Sequence, residues 1–412
     1  MGNAATVGGD ASAKWVSVVA FSWGLCAFFP VGVMYLHLCL MLTSLVFSGG
    51  LKYRLRKVNK SAFFLPLIAM LVWTSLAAAV GGWFPDSATR LFHTFRVALV
   101  LSLGIMLTAS EARAALGGFL TGAVLAASIV CAHHLWGMPD WAIWNGLLSS
   151  RNNFSSGNMI TLATASGVCF LLGLSQQLTR NDRWLALAAA LALGVTVAFH
   201  AVSRNSQLLV VLLILTAIFC RFRSLRSALA GLAAVVFLVT SLWYFSPTTI
   251  SRFVQLAANL QSATEQANYG SSGGVRWRMY QEAVHGMLEH PLLGMGVGSW
   301  LPHWHSVWLA IEDKVPPESK HAFSEINNPH NDFLLAGMET GVAGMLILVW
   351  LLARFVSQGW RQHSAAGGIT VIMGVAMFAD ASVNAPFRDA ALGMTLLWLL
   401  GVSAAAHRPA GP

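Results

Sequence analysis

Apolar residues in this 412-residue chain fall into long uninterrupted runs instead of alternating or tracing a single stripe. A bilayer-spanning helix needs about 20 such residues, or about 17 when short. Twelve runs approach that length, at approximately 15–29, 31–50, 61–81, 91–109, 114–134, 154–178, 184–202, 206–220, 228–245, 331–353, 367–385 and 390–406. The pattern predicts an all-α polytopic membrane protein with about 12 transmembrane helices. One long polar stretch interrupts it, dividing the chain into nine spans over 1–245, a loop domain over 246–329, and three spans over 330–412. Within the loop, the spacing predicts an amphipathic helix from Val275 to about Glu289, stopped by Pro291 and a glycine turn. Its Trp, Tyr and Met side chains suit a membrane interface. No internal repeat is visible.

Composition agrees with the pattern. Hydrophobic residues make up 56% and charged residues 10% of the chain, and the mean hydropathy is +0.64, which excludes a water-soluble globule of this length. The net charge of +9 reads as cations that hold short loops on the cytoplasmic side, not as a nucleic-acid footprint. With the N-terminus inside, the inner connections carry 15 of the 25 Lys and Arg residues. Arg90, Arg96, Arg151, Arg204 and Arg388 then fall on short outer connections, against that trend, and are candidates for function. The five cysteines have no CxxC or Cys/His spacing and read as small buried hydrophobes. The N-terminus lacks a small-residue cleavage site, so the first apolar run reads as a retained span.

The segment NNPHNDFLLAGMETGVAGMLILVW, 327–350, puts a histidine at the head of an apolar run. Asn328 reads as an N-cap and Pro329 as the first helical residue, which places His330 in the first turn. At 100° per residue, Gly337, Gly341 and Gly344 lie within roughly 40° of the His330 direction, a stripe on which a neighbouring helix packs closely. A helix N-terminus disfavours imidazolium and favours an incoming anion, so a neutral His330 beside a phosphate is a usable base. Taken alone, the same pattern also suits an interfacial capping histidine with ordinary packing glycines.

Other polar residues carry weaker signals. Arg276 and Arg278 lie about 200° apart on the loop helix and do not face one ligand. His303 and His305, with His285, His290 and His321, suggest a metal cluster, but no acidic or cysteine partner recurs at ligand spacing; solvated loop histidines and a metal-free site are expected. Gly294, Gly296 and Gly298 read as a turn, not a phosphate nest. Glu339 projects away from His330 and is expected to bond a neighbouring span. Asp380 and Asn384 share one face of the eleventh span, and Asp389 returns to the outer surface as a supporting residue.

The run His330, Asn331, nine residues, Gly341, two residues, Gly344 matches the HNx9GxxG pattern of the O-antigen ligase (WaaL) and O-antigen polymerase superfamily, and the chain resembles that family over about 200–350. SRNSQLLVVLLIL and GGVRWRMYQEAVHGMLEHPLLGMGVGSW are similar to its other characteristic segments. The resemblance implies a GT-C-like membrane glycosyltransferase in the bacterial inner membrane with a periplasmic loop carrying short helices. It implies transfer of O-antigen from undecaprenyl diphosphate to a sugar hydroxyl of lipid A-core, with inversion at the anomeric carbon and no cofactor. It further implies His330 as the base, Arg204 and Arg276 as diphosphate-binding residues, Arg151 less specifically among them, and Asn331 beside the histidine. Within the superfamily the alternatives are an O-antigen polymerase and a protein O-oligosaccharyltransferase. A polytopic transporter or flippase is the rival of another class, expected to show broken helices in symmetry-related halves and a midplane ionisable site.

Overall fold

The computed structural model describes residues 4–136, 149–150, 153–154, 156–201, 203–222, 271–315 and 326–406, with scattered positions in 224–269 and 320–324. Its helices are α1 (Ala4–Leu25), α2 (Val31–Phe47), α3 (Leu51–Asn59), α4 (Phe64–Val80), α5 (Ser87–Met106), α6 (Ala109–Trp136), α7 (Ser156–Leu174), α8 (Arg180–His200), α9 (Arg204–Phe222), α10 (Ser272–Glu289), α11 (Trp300–Ile311), α12 (Asp332–Arg361), α13 (Ala365–Ala381) and α14 (Leu392–Ala405). A two-residue antiparallel pairing, β1 (Ser149–Ser150) with β2 (Asn153–Phe154), precedes α7.

The protein is an all-α polytopic membrane protein. Six described helices are long and apolar enough to cross a bilayer, or seven if α2 and α3, bent by 114°, form one broken span. The apolar helices α4, α13 and α14 are shorter. The apolar run at 228–245 lies largely outside the described residues. Large apolar side chains such as Leu185, Leu191 and Phe199 on α8 stand exposed, as a surface solvated by lipid requires and water would penalise. Among the cysteines only Cys169 is buried, while Cys39 is exposed on α2, so the expectation of five buried thiols fails for that outer helix face.

Helices pack closely where side chains are small. α1 lies along α6, and a Cβ on Gly118 would sit 2.0 Å from the Phe21 carbonyl oxygen, so only glycine admits that backbone approach. Connections assigned to the inner face meet at one end of the bundle. Arg54 there forms a bidentate pair with Glu111, both contacts at 2.7 Å, and other cations donate to carbonyls that helix ends leave open. Lys57 donates to the Leu107 carbonyl, and Arg221 to Leu174 at 3.0 Å.

At the opposite end, α10 and α11 form a small second core on the first half of α12. Trp300, Trp304, Trp308 and Ile311 make one buried stripe along α11 against Val275, Met279 and Ala283 of α10 and Leu335 and Met338 of α12. The Trp300 and Trp304 indole N–H groups donate to the Ile326 and Phe323 carbonyls at 3.2 and 3.0 Å, which ties down the chain leading to His330. α10 begins as expected, with Ser271 accepting from Gly274 N, and ends at Glu289 before Pro291.

α12 is broken where the glycine stripe was expected to run straight. Gly341 has φ 75° and ψ 176°, a conformation essentially reserved for glycine. Bonds lost to the ladder are replaced from outside. Met295 N–H donates to the Met338 carbonyl at 2.7 Å, Val342 N–H to Pro291 at 2.9 Å, and the Trp73 indole to Thr340 at 2.8 Å. Gly294, Gly296 and Gly298 all have positive φ, and their turn wedges against Met338–Glu339, Gly81 and Ser87 respectively. The expected turn is therefore correct, but the continuous stripe is not. Gly337 faces Met287, Gly341 faces the Leu292 carbonyl, and Gly344 faces Thr340 of its own helix.

Candidate active site

The approach to α12 differs from the expected cap. Asn331, not Asn328, is the N-cap, its Oδ1 accepting from Leu334 N–H at 3.0 Å while its Nδ2 donates to the Ser382 carbonyl at 2.8 Å. Asn328 instead accepts from His330 N–H at 2.9 Å, a side-chain turn that uses up the amide a helix would need. His330 consequently precedes the helix with φ 52°. The Tyr280 hydroxyl of α10 donates to its carbonyl at 3.3 Å, so its backbone is held on both sides.

Burial, followed by the charge of Arg276, lowers the His330 pKa to about 4. The imidazole is therefore neutral at physiological pH, as expected, but burial and a nearby cation are the cause, not a first-turn position. Burial likewise raises the Tyr280 pKa, with Arg276 opposing it.

His330 lines an open cavity of about 320 Å³ together with Asp86, Arg90, His93, Asn384 and Arg388. These come from the start of α5, the segment before α12 and the α13–α14 connection, all assigned to the outer face by the sequence. A smaller cavity of about 90 Å³ shares Arg90, His93 and Arg388 and continues between α4, α5 and α12 past Trp73, Ile347 and Leu348. The two spaces meet at the cations.

A buried ionic network forms that junction. Arg90 Nε lies 2.7 Å from Asp86 and 3.2 Å from Glu339 Oε1, and its Nη2 donates to the Asn327 carbonyl. Arg388 Nη2 donates to Glu339 Oε2 at 2.7 Å, and its Nε lies 3.9 Å from Asp332. Asp332 also accepts from Phe387 N–H at 2.8 Å. Arg96 donates to the Phe387, Arg388 and Asp389 carbonyls at 3.2, 3.0 and 3.2 Å, fixing the turn that carries Arg388. Asp389 accepts from Ala391 and Leu392 N–H, both at 2.8 Å, and so caps α14. Asp380 accepts from Asn384 at 2.6 Å and from Asn205 at 2.8 Å, which joins α9 to α13.

Arg204 and Arg276 line neither cavity. Arg204 opens α9 beside Asn205. Arg276 is exposed on α10, close enough for its charge to act on His330. Arg151 lies outside the described residues. Arg278 is turned away from that site, paired with Glu282 and set over the Tyr269 ring. His303 is not a solvated loop histidine: its Nε2 lies 2.9 Å from Glu282, a carboxylate whose pKa this contact lowers.

Arg90, Arg96 and Arg388 stood out in the sequence only as arginines on the disfavoured side. Their convergence with Glu339 was not assigned, and the signal for it was an intramembrane carboxylate in need of partners.

Residues 188–349 match the family model described as O-antigen ligase. No curated protein matches the chain. The matched segment contains Arg204, Arg276 and His330 and excludes Arg90 and Arg388. Over that segment the chain is similar to the O-antigen ligase family.

Proposed function

We propose that the protein is an O-antigen ligase: a glycosyltransferase that moves O-antigen from undecaprenyl diphosphate to a sugar hydroxyl of lipid A-core at the periplasmic face of the bacterial inner membrane. The observation that carries this reading is a neutral, backbone-clamped imidazole in a cavity with two arginines, at the bundle end where the disfavoured outer cations gather. Both substrates carry lipid tails, which a multi-pass membrane protein accommodates and a soluble site does not.

In the reaction, the acceptor hydroxyl oxygen attacks the anomeric carbon opposite the diphosphate, and the carbon–oxygen bond to the leaving group breaks. Its electron pair departs with the diphosphate oxygen, and the hydroxyl proton passes to His330. This inverts the anomeric centre. Arginines suit the leaving group because they stay charged and bind phosphate oxygens through two donors, and fixed positive charge counts most where negative charge develops. In this reading Arg204, Arg276 and Arg151 guide the diphosphate from the rim, Asn331 and Asp389 hold the turns bearing His330 and Arg388, and no metal is required.

The low His330 pKa sets the pH profile. Below about 4 the imidazole is protonated and cannot accept a proton, so kcat/KM, which reports the free enzyme, is expected to fall only as pH drops through about 4. A bound diphosphate stabilises imidazolium, so the acid limb of kcat is expected at higher pH. Coincident limbs near the ordinary histidine value would contradict this assignment.

Reconstitution with lipid-linked glycan and lipid A-core, read as a lipopolysaccharide ladder, tests the reaction. Glycosylated lipid A-core supports it. Lengthening of the lipid-linked glycan alone, or modification of protein alone, replaces it with the polymerase or protein-transferase reading. Transport is disfavoured because the break in α12 packs against the protein's own Pro291 turn.

A further inference from the structure

We infer that Arg388 is a direct ligand of the donor's diphosphate and that Glu339 is the residue that positions it; this rests on the reading of a diphosphate-linked donor given above. The inference comes from which polar groups around the two cavities are already engaged. Asp86 is paired with Arg90, Asp332 with Phe387 N–H and Arg388, Glu339 with Arg90 and Arg388, and Asp389 with two backbone amides. Each carboxylate near the junction therefore has a donor.

Three nitrogens at the junction, Arg90 Nε, Arg388 Nη1 and His93 Nδ1, are buried and make no hydrogen bond among the described residues, and all three residues line both cavities. Arg90 Nε is in ion-pair contact with Asp86 and Glu339, which leaves Arg388 Nη1 and His93 Nδ1 over. A buried donor left unsatisfied is costly, and one on a guanidinium that lines a cavity is suited to a multiply anionic ligand. Across the larger cavity stands His330. A diphosphate on Arg388 thus lies in the same space as the base, with the smaller cavity leading away between apolar side chains of α4, α5 and α12.

Glu339 fixes the guanidinium's direction. It holds Nη2 at 2.7 Å, Arg96 holds the Arg388 carbonyl at 3.0 Å, and Asp332 lies on the Nε side. With Nη2 bonded to Glu339 and Nε turned towards Asp332 at 3.9 Å, Nη1 is the donor left without a carboxylate. Arg90 shares Glu339 but is consumed by Asp86, Glu339 and the Asn327 carbonyl, so it neutralises the carboxylate instead of meeting the ligand.

The test is binding of inorganic pyrophosphate to the full-length protein in nanodiscs at constant ionic strength, with sulfate as the control anion. The wild-type protein is expected to bind pyrophosphate and to prefer it to sulfate. Arg388→Gln is expected to weaken binding about 10- to 100-fold, the range for loss of a charged hydrogen-bonding partner. Arg388→Lys keeps the charge without the fork and is expected to fall between them, and it serves if the glutamine variant does not fold. Glu339→Gln is expected to weaken pyrophosphate binding and raise the donor KM, with Glu339→Asp recovering part of both. Gly117→Ala, where a Cβ meets nothing within 4 Å, is expected to bind pyrophosphate like the wild type.

No pyrophosphate binding by the wild type, or equal binding by folded Arg388 and Glu339 variants, overturns the assignment. If those variants bind normally while the wild-type protein transfers glycan, the inference fails and the proposed reaction stands. If they lose pyrophosphate but no glycan is transferred, the anion seat stands and the reaction fails.

Discussion

His330→Ala is expected to lower glycan transfer about 10²- to 10⁴-fold, the usual contribution of a positioned general base. The loss should appear mainly in kcat, because the imidazole meets the acceptor proton as the bond forms and contributes little to holding the donor. The side chain stands outside the α12 hydrogen-bond ladder. Its residue is held through backbone contacts, N–H to Asn328 and carbonyl to Tyr280, which alanine retains apart from the left-handed φ. Thermal unfolding close to that of the wild type, with transfer reduced, is the expected pair of results. Full transfer by the alanine variant removes His330 from the chemistry.

Gly341→Ala is expected to be among the most damaging single-methyl changes in the protein. A Cβ there would lie 2.1 Å from the Leu292 carbonyl oxygen and 2.8 Å from that of Pro291, in a backbone conformation with φ 75°. Backbone strain of about 1–3 kcal/mol adds to overpacking of about 1–3 kcal/mol, since the obstructing atoms are main chain and cannot rotate away. The Pro291–Leu292 turn follows α10, which carries Tyr280 and Arg276, so its displacement also loosens the hold on His330. A markedly lower unfolding temperature together with lost transfer is expected. Gly117→Ala, where a Cβ meets nothing within 4 Å, is the matched control and should leave both unchanged. Equal behaviour of the two variants would mean that the α12 break does not hold the site.

The helical membrane architecture was legible because bilayer solvation imposes a length and a polarity on every span. Runs at 91–109, 184–202 and 206–220 correspond to α5, α8 and α9. The start of α12 was not legible to the residue. Asn328 and Asn331 are both good caps, and local composition does not reveal that Asn328 spends its oxygen on His330 N–H. The break at Gly341 was hidden for a related reason: the glycine spacing fits a straight helix, and the partners that replace the lost bonds are Pro291, Met295 and Trp73, two of them some 50 residues away and the third far earlier.

A second loop helix was missed although its signal was present. Trp300, Trp304, Trp308 and Ile311 recur at helical spacing, a period obscured by histidines that suggested a ligand cluster. Charge placement gave partial access to the site. It marked Arg90, Arg96 and Arg388 as cations on the disfavoured side, yet gave no means of knowing that Glu339, expected only to bond a neighbouring span, joins Arg90 to Arg388. Pairings between residues 49 to 249 positions apart leave no local trace in a single sequence.

The most direct measurement of the central claim is an experimental structure of the wild-type protein with a polyisoprenyl diphosphate bound in nanodiscs. The account predicts diphosphate density in the cavity between His330 and Arg388, on the side of the membrane that carries α10 and α11. Density at the opposite end of the bundle, beside the Arg54–Glu111 pair, or at a position from which His330 cannot reach the anomeric carbon's incoming hydroxyl, would contradict it.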